Sequence, residues 1–304
     1  MSVDNFIPEL WAAELDTPFQ KNLVYASPSI ANTRFQSMLQ NSGDSVNIPK
    51  IGAAAVKTHD RNADLVYDDV SITTSKLVMN QEDYYGFRVS DVDEVQAAGE
   101  FESAATAQHG IAMSNKVDSY IAGLLKDGAG KKLGNTPVFD GADFFRPAEG
   151  QSTAWDVIRR IAKELNKVSA PSLNRWAVVG ADLADALIAD RRVTEADKAG
   201  TDAVARTGII TEIPLLGITV YASNNAPTVS TREVAIGGVH GALDFASQLR
   251  TMEAFRNPDR FGDIVRGLQV YGGVVSNPDG LVSVEVDVKP GTLGSQPAAG
   301  EPGA

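Results

Sequence analysis

The chain has 304 residues, 43% of them apolar, no cysteine, a formal net charge of -12 and a pI near 4.7. That is enough apolar content for one large core or two smaller ones, but no run approaches the ~18 apolar residues of a membrane span. The lack of cysteine excludes disulfides, thiolate metal sites and cysteine nucleophiles, and the acidity argues against gripping nucleic acid through its phosphates.

The N-terminal MSVDNFIPELW has no basic stretch followed by an apolar one, so no secretory signal is read there. Together with the missing thiols this suits synthesis in a reducing cytoplasm. Residues 1–44 read as an arm. Ile7, Leu10, Trp11 and Leu15 line one side of a short helical pattern between Pro8 and Pro18, and Phe19, Leu23 and Val24 begin a second. Helices this short are marginal in water, so their aromatic faces must dock, either on the protein's own core or on a neighbouring subunit. Residues 46–89 read as an extended hairpin. Val46, Ile48 and Ile51 form one strand, and a return strand alternates through Val70, Ile72 and Thr74 and runs on through Leu77 to Tyr84, Tyr85 and Phe87. Its tip, His59 to Asp64, is polar. A two-stranded ribbon with so few large apolar side chains needs support from elsewhere.

Ser90–Gly128 carries the pattern of a long helix that organises the rest. Ser90 or Asp91 can cap it, with Asp93 or Glu94 at capping-box spacing, and Gly128 is placed to stop it in a left-handed conformation. Met113, Val117, Ile121 and Leu124 mark a buried face, with Phe101, Ala104, Ala105 and Ala112 beside it. From Ala97 on, it would be about 45 Å long. Gly99, Gly110 and Gly123 each cost about 1 kcal/mol relative to Ala, so the helix needs lateral support.

Gly128 to Gln151 reads as a loop. Thr153-x-x-Asp156 then opens a helix with Val157, Ile158, Ile161, Ala162 and Leu165 on its buried face. Arg175–Val179 is a strand, Gly180 a turn, and Leu183, Ala184 and Leu187 belong to another helix. Residues 190–207 read as an exposed polar loop. Ile209–Ile213 and Ile218–Ala222 read as short strands separated by Pro214 and Gly217. Glu233–Val239 is a strand, Leu243–Leu249 a short helix or loop, Thr251–Arg256 a strand and Asp263–Val275 one long strand or two. Val282, Val284, Val286 and Val288 alternate with polar residues, as in a strand with one buried face. From Pro290 the composition is that of a flexible tail.

Little chemistry is concentrated anywhere. His59, His109 and His240 are widely separated, with no carboxylate at metal-ligand spacing. Strand–Gly180–helix resembles a phosphate-binding turn but lacks a second glycine or a basic neighbour. No catalytic, cofactor-binding or metal-ligating residue is assigned, and no cofactor is expected.

The order of parts, and several stretches within it, resemble the major capsid protein of tailed bacteriophages, the Hong Kong 97-type fold. Val46–Gly52 looks like the start of that family's extended loop, and Tyr84–Asp93 like its junction into the spine helix. Asn174–Val179 and Gly217–Asn225 look like axial-domain strands, and Arg266–Gly272 like a strand of the peripheral domain. The resemblance implies an α+β chain divided into an N-terminal arm (1–45), an extended β-hairpin loop (46–90), the spine helix with the first part of the peripheral domain (91–151), an axial domain (152–228), the rest of the peripheral domain (229–289) and a tail (290–304).

It further implies a structural, non-enzymatic head protein that forms pentamers and hexamers of an icosahedral shell around double-stranded DNA. Assembly would take place in the host bacterial cytoplasm and end in the virion, with no membrane involved. Expected partners are copies of itself, a separate scaffolding protein, a portal and a decoration protein. Expected intersubunit contacts are Trp11 and Phe19 of the arm, His59, Asp60, Arg61 and Asp64 of the hairpin tip, and Arg191, Arg192 and Arg206 of the 190–207 loop. One alternative is an encapsulin-like nanocompartment around an enzyme cargo. The other is a soluble α/β enzyme with a phosphate site at Gly180.

Overall fold

The computed structural model describes residues 24–39, 44–52, 56–59, 64, 67, 69, 72–89, 100–139, 152–190, 193, 213–257 and 262–289. In chain order its elements are β1 (Ser45–Ile51), β2 (Ile72–Val78), β3 (Gln81–Val89), α1 (Glu100–Gly128), β4 (Lys131–Phe139), α2 (Ala154–Lys167), β5 (Arg175–Val179) and α3 (Ala181–Ala189). There follow β6 (Ile213–Leu215), β7 (Ile218–Ala222), β8 (Thr228–Val229), β9 (Arg232–Val239), β10 (Leu243–Arg256), β11 (Asp263–Val275) and β12 (Leu281–Lys289). These elements belong to two compact units, and α1 contributes its first part to one and the remainder to the other.

The first unit draws its described residues from Asn32–Met113 and Leu243–Ser276. β1 and β2 make the expected antiparallel ribbon, from Ser45 opposite Val78 to Ile51 opposite Ile72. At its base Ile48 and Leu77 are buried with Leu39, Met79, Ala246 and Val270, each large aliphatic contributing roughly 1.5–3 kcal/mol. The ribbon does not run on to Phe87 as the alternation suggested. The chain leaves it at Met79–Asn80, and β3 pairs with β11 in a three-stranded antiparallel sheet of order β10-β11-β3. The break lies where the backbone of Val78 and Met79 presses on Gly272 of β11, so closely that a Cβ there would collide with the Val78 carbonyl. Leu243–Leu249, expected as a helix or loop, is the start of β10, which pairs with β11 along its whole length around one irregularity between Leu249 and Thr251. Long-range pairing overrides a short ambiguous apolar run.

The second unit draws on Asn22–Ala31, Ser114–Ala242 and Asn277–Ala304. Its sheet runs β4-β12-β9-β5-β7-β6, with β8 on β9, and mixes parallel pairs (β4 with β12, β5 with β7) with antiparallel ones. β4, inside the expected loop after α1, is a strand because β12 offers it a parallel edge. β12 is buried on both faces along its first half, Ser283 included, rather than on one. β6 contains Pro214 instead of ending before it, as an edge strand tolerates.

α2 forms where its sequence pattern places it. The Thr153 hydroxyl accepts from the Asp156 N–H at 3.3 Å, and the Thr153 N–H donates to the Asp156 carboxylate at 3.2 Å. Val157, Ile158, Ile161, Ala162 and Leu165 are all buried, in a core shared with Val179, Leu183, Leu187, Val220, Ala235 and Val284. Thr153→Ala should therefore lower stability by about 1 kcal/mol, read as a shift in the urea midpoint at unchanged slope.

α1 differs from expectation in three details. Its described part starts at Glu100, so the caps read at Ser90 and Asp91 lie outside the described residues. Leu125 rather than Leu124 completes the buried stripe, and Ala112 is exposed. Gly128 is the last helical residue, whereas among the described residues the glycines with positive φ are Gly217, Gly241 and Gly262. The stripe also carries two polar residues, Ser114 and Asp118, both fully buried.

Candidate assembly interface

The βα turn at Gly180 has the amides that could hold a phosphate, but the protein fills the place itself. Gly180 offers no side-chain cap to α3. Glu233, reaching over from β9, accepts from the Asp182 N–H at 3.3 Å and from the Leu183 N–H at 3.2 Å. A carboxylate at a helix N-terminus satisfies both its free amides and its dipole, and a Cβ on Gly180 would collide with that carboxylate. The anion site is internal, which corrects the phosphate-enzyme reading. The histidines are likewise dispersed. His109 stacks on Phe87 with ring centroids 4.8 Å apart, whereas His59 and His240 are exposed. Among the described residues no His, Asp and Glu cluster could hold a metal.

Uncovered apolar surface is the first unit's main unsatisfied feature. Along the ribbon, cover is lost toward the outer end: Ile72 is 62% exposed and Ile51 71%, and beyond them Tyr67 is 85% and Val56 99% exposed. Exposed apolar side chains gathered on one projecting element mark an association surface more often than chance. The three-stranded sheet supplies a second such surface. Tyr85 and Phe87 of β3 turn to α1, where His109 and Met113 lie. The alternate residues Tyr84 and Arg88, with Phe255, Ile264, Arg266 and Leu268, line a groove of about 740 Å³ on the other face. Arg266 sits over the Phe255 ring at 4.9 Å and pairs with Glu253. An arginine stem laid across an aromatic ring keeps such a face soluble without covering it.

Of the contact residues expected from sequence, His59 and Asp64 lie exposed beyond the outer end of the ribbon. Trp11, Phe19, Asp60, Arg61, Arg191, Arg192 and Arg206 lie outside the described residues. The 190–207 segment is not exposed throughout, because Asp190 and Val193 are buried. The sheet groove was beyond sequence reading: its residues come from three strands, and only pairing puts them on one face. Asp118 had a local signal, a lone carboxylate within the apolar stripe of α1.

An antiparallel ribbon, a long helix and a mixed sheet backed by helices make up a mixed α/β protein. Comparison with known proteins agrees. The family model described as phage capsid protein matches residues 76–284. Among solved structures, a chain of Mycobacterium phage Che8 is 32% identical, with 86% of this chain and 90% of that one covered and a TM-score of 0.71. The capsid structure of the cyanophage P-SCSP1u is 16% identical over 82% of this chain and 85% of that one, at a TM-score of 0.63. A virus-like particle from Pyrococcus furiosus is 13% identical over 91% and 98%, at 0.53. No curated protein matches the chain. The chain belongs to the phage capsid protein family. It is a bacteriophage major capsid protein, a structural component of the virion.

Proposed function

We propose that this protein builds the icosahedral head of a tailed phage as pentamers and hexamers enclosing double-stranded DNA, on the Hong Kong 97-type plan. Residues 1–45 act as an arm and 46–90 as the extended loop, and 152–228 contribute the axial part between the two peripheral portions, 91–151 and 229–289. The arm, the hairpin tip and the Arg191–Arg206 loop meet neighbouring subunits. Scaffold, portal and decoration proteins are separate chains, and assembly takes place in the host cytoplasm before the head joins the virion.

The observation that carries this reading is the ribbon's outer end, with Val56 and Tyr67 almost wholly uncovered in a chain of the phage capsid family. An isolated subunit gains nothing from holding such side chains in water, whereas a symmetric shell buries every copy of them. The acidic chain suits a wall that contains DNA without gripping it, since a net charge of -12 repels phosphate. The nanocompartment alternative rests on likeness of fold alone.

Expression together with the neighbouring head genes, followed by negative-stain electron microscopy and nuclease protection of the contents, tests the proposal. Closed shells holding nuclease-protected DNA are the expected result. A stable monomer whose outer β1 and β2 amides are already protected from hydrogen exchange would overturn it, and shells filled with an enzyme would transfer the chain to the nanocompartment class.

A further inference from the structure

Asp118 is a carboxylate buried in the second unit, and one of its two oxygens is spent on one short segment. One of its oxygens, Oδ1, accepts three successive main-chain N–H groups, from Val24 at 3.0 Å, Tyr25 at 2.7 Å and Ala26 at 3.3 Å. The other, Oδ2, accepts from the Asn225 side-chain amide at 3.4 Å. Asn225 also donates to Asn115 at 3.2 Å, one turn before Asp118 on α1, and its own main-chain N–H is held by Ser223 at 3.2 Å. Consecutive amides converging on one anion form a concave nest, and bonds to a charged acceptor are the strong ones.

The rest of the segment is built to stay in place. Tyr25 and Ile30 are fully buried and Ala31 almost so, and the Ser27 carbonyl closes a turn by accepting from the Ile30 and Ala31 N–H groups at 3.0 and 2.8 Å. Burial pushes the Tyr25 phenol well above the usual tyrosine range, with the Asp118 and Glu233 charges adding to it. For Asp118 burial raises the pKa, and the amide bonds from Val24, Asn225, Tyr25 and Ala26 oppose that rise. An eight-residue stretch with one buried aromatic and one buried aliphatic would not order itself without this anchor, because fixing each residue costs roughly 1–2 kcal/mol of backbone entropy.

The chain N-terminal to Val24 carries Ile7, Leu10, Trp11, Leu15 and Phe19. A tethered segment binds a neighbour well only if its root is held where its reach matches the distance to be spanned. We infer that Asp118 is a positioning residue for self-association: by clamping the amides of residues 24–26 it fixes the root from which the N-terminal arm reaches a second copy of this chain. This rests on the shell-forming reading for its consequence, but not for the clamp.

The test compares Asp118→Ala with Asp118→Asn, which keeps an acceptor oxygen on the same stem. Hydrogen exchange of the purified subunit reads the clamp. Exchange over residues 24–31 should rise about tenfold or more in Asp118→Ala, with β5 and α2 unchanged and Asp118→Asn in between. Assembly of the same variants, measured as shell yield by sedimentation, should fall in the same order. Unchanged exchange over 24–31, or loss of protection throughout the second unit in both variants, would overturn the inference. So would a released segment with full shell yield. If the unsubstituted chain makes no shells at all, the shell-forming reading fails while the exchange result still decides the clamp.

Discussion

A double substitution of Val56→Asp and Tyr67→Asp abolishes assembly while leaving the subunit's stability within about 0.5 kcal/mol of the original. Both side chains stand almost wholly in solvent, so the isolated subunit loses no packing when they become charged. In a shell each copy would place two unpaired carboxylates where apolar contacts are proposed. Burying such a charge without a partner costs several kcal/mol, and the cost recurs in every subunit. Sedimentation velocity on the assembly reaction, beside urea unfolding of the purified subunit, separates the two effects. Parallel losses in both measurements would mean that the ribbon's outer end belongs to the subunit's own core, and shells forming normally would mean that it meets no neighbour.

Gly272→Ala has the opposite signature, loss of the subunit itself. A Cβ at this position would overlap the carbonyl oxygen of Val78 and lie 2.9 Å from the Cα of Met79. Both obstacles are backbone, so no rotamer change relieves them, and the base of the ribbon would have to lift off β11. The buried cluster of Leu39, Ile48, Leu77, Met79, Ala246 and Val270 sits at this junction and would open with it. Overpacking that moves backbone costs about 3 kcal/mol or more, enough to remove much of a typical domain's stability. Thermal unfolding of the purified variant gives the size of the loss, and soluble yield gives its consequence in the cell. A midpoint within a degree or two of the parent would show that the crossing is looser than described.

These two predictions also mark how far the chain could be read in advance. The ribbon was legible because Val70, Ile72 and Thr74 alternate in the sequence with Asp69, Ser71, Thr73 and Ser75, and period two identifies a strand wherever it occurs. Its end was not, because Met79 and Asn80 break no local rule. The break lies against Gly272 of β11, far along the chain. β4 was missed for a related reason. Lys131–Phe139 is rich in turn-forming residues and becomes a strand only because β12 lies parallel to it. The contact residues at Trp11, Phe19, Asp60, Arg61, Arg191, Arg192 and Arg206 lie outside the described residues and stay proposals.

By itself the sequence determined what depends on near neighbours. The capping box at Thr153 and Asp156, the apolar face of α2, the strand–Gly180–helix unit, the body of α1 and the alternation of the ribbon all rest on contacts within a few residues, and for these composition and spacing are enough. Tertiary structure alone decided the partners. It placed Glu233 on the amides of α3 and Asp118 on those of Val24, Tyr25 and Ala26, paired β3 with β11 instead of prolonging the ribbon, and gathered residues of β3, β10 and β11 into one open apolar groove. Each of these joins groups far apart in the chain. Which amide a buried carboxylate finds, or which edge a strand takes, is set by the competition among all the places it could go, and no local pattern contains that comparison.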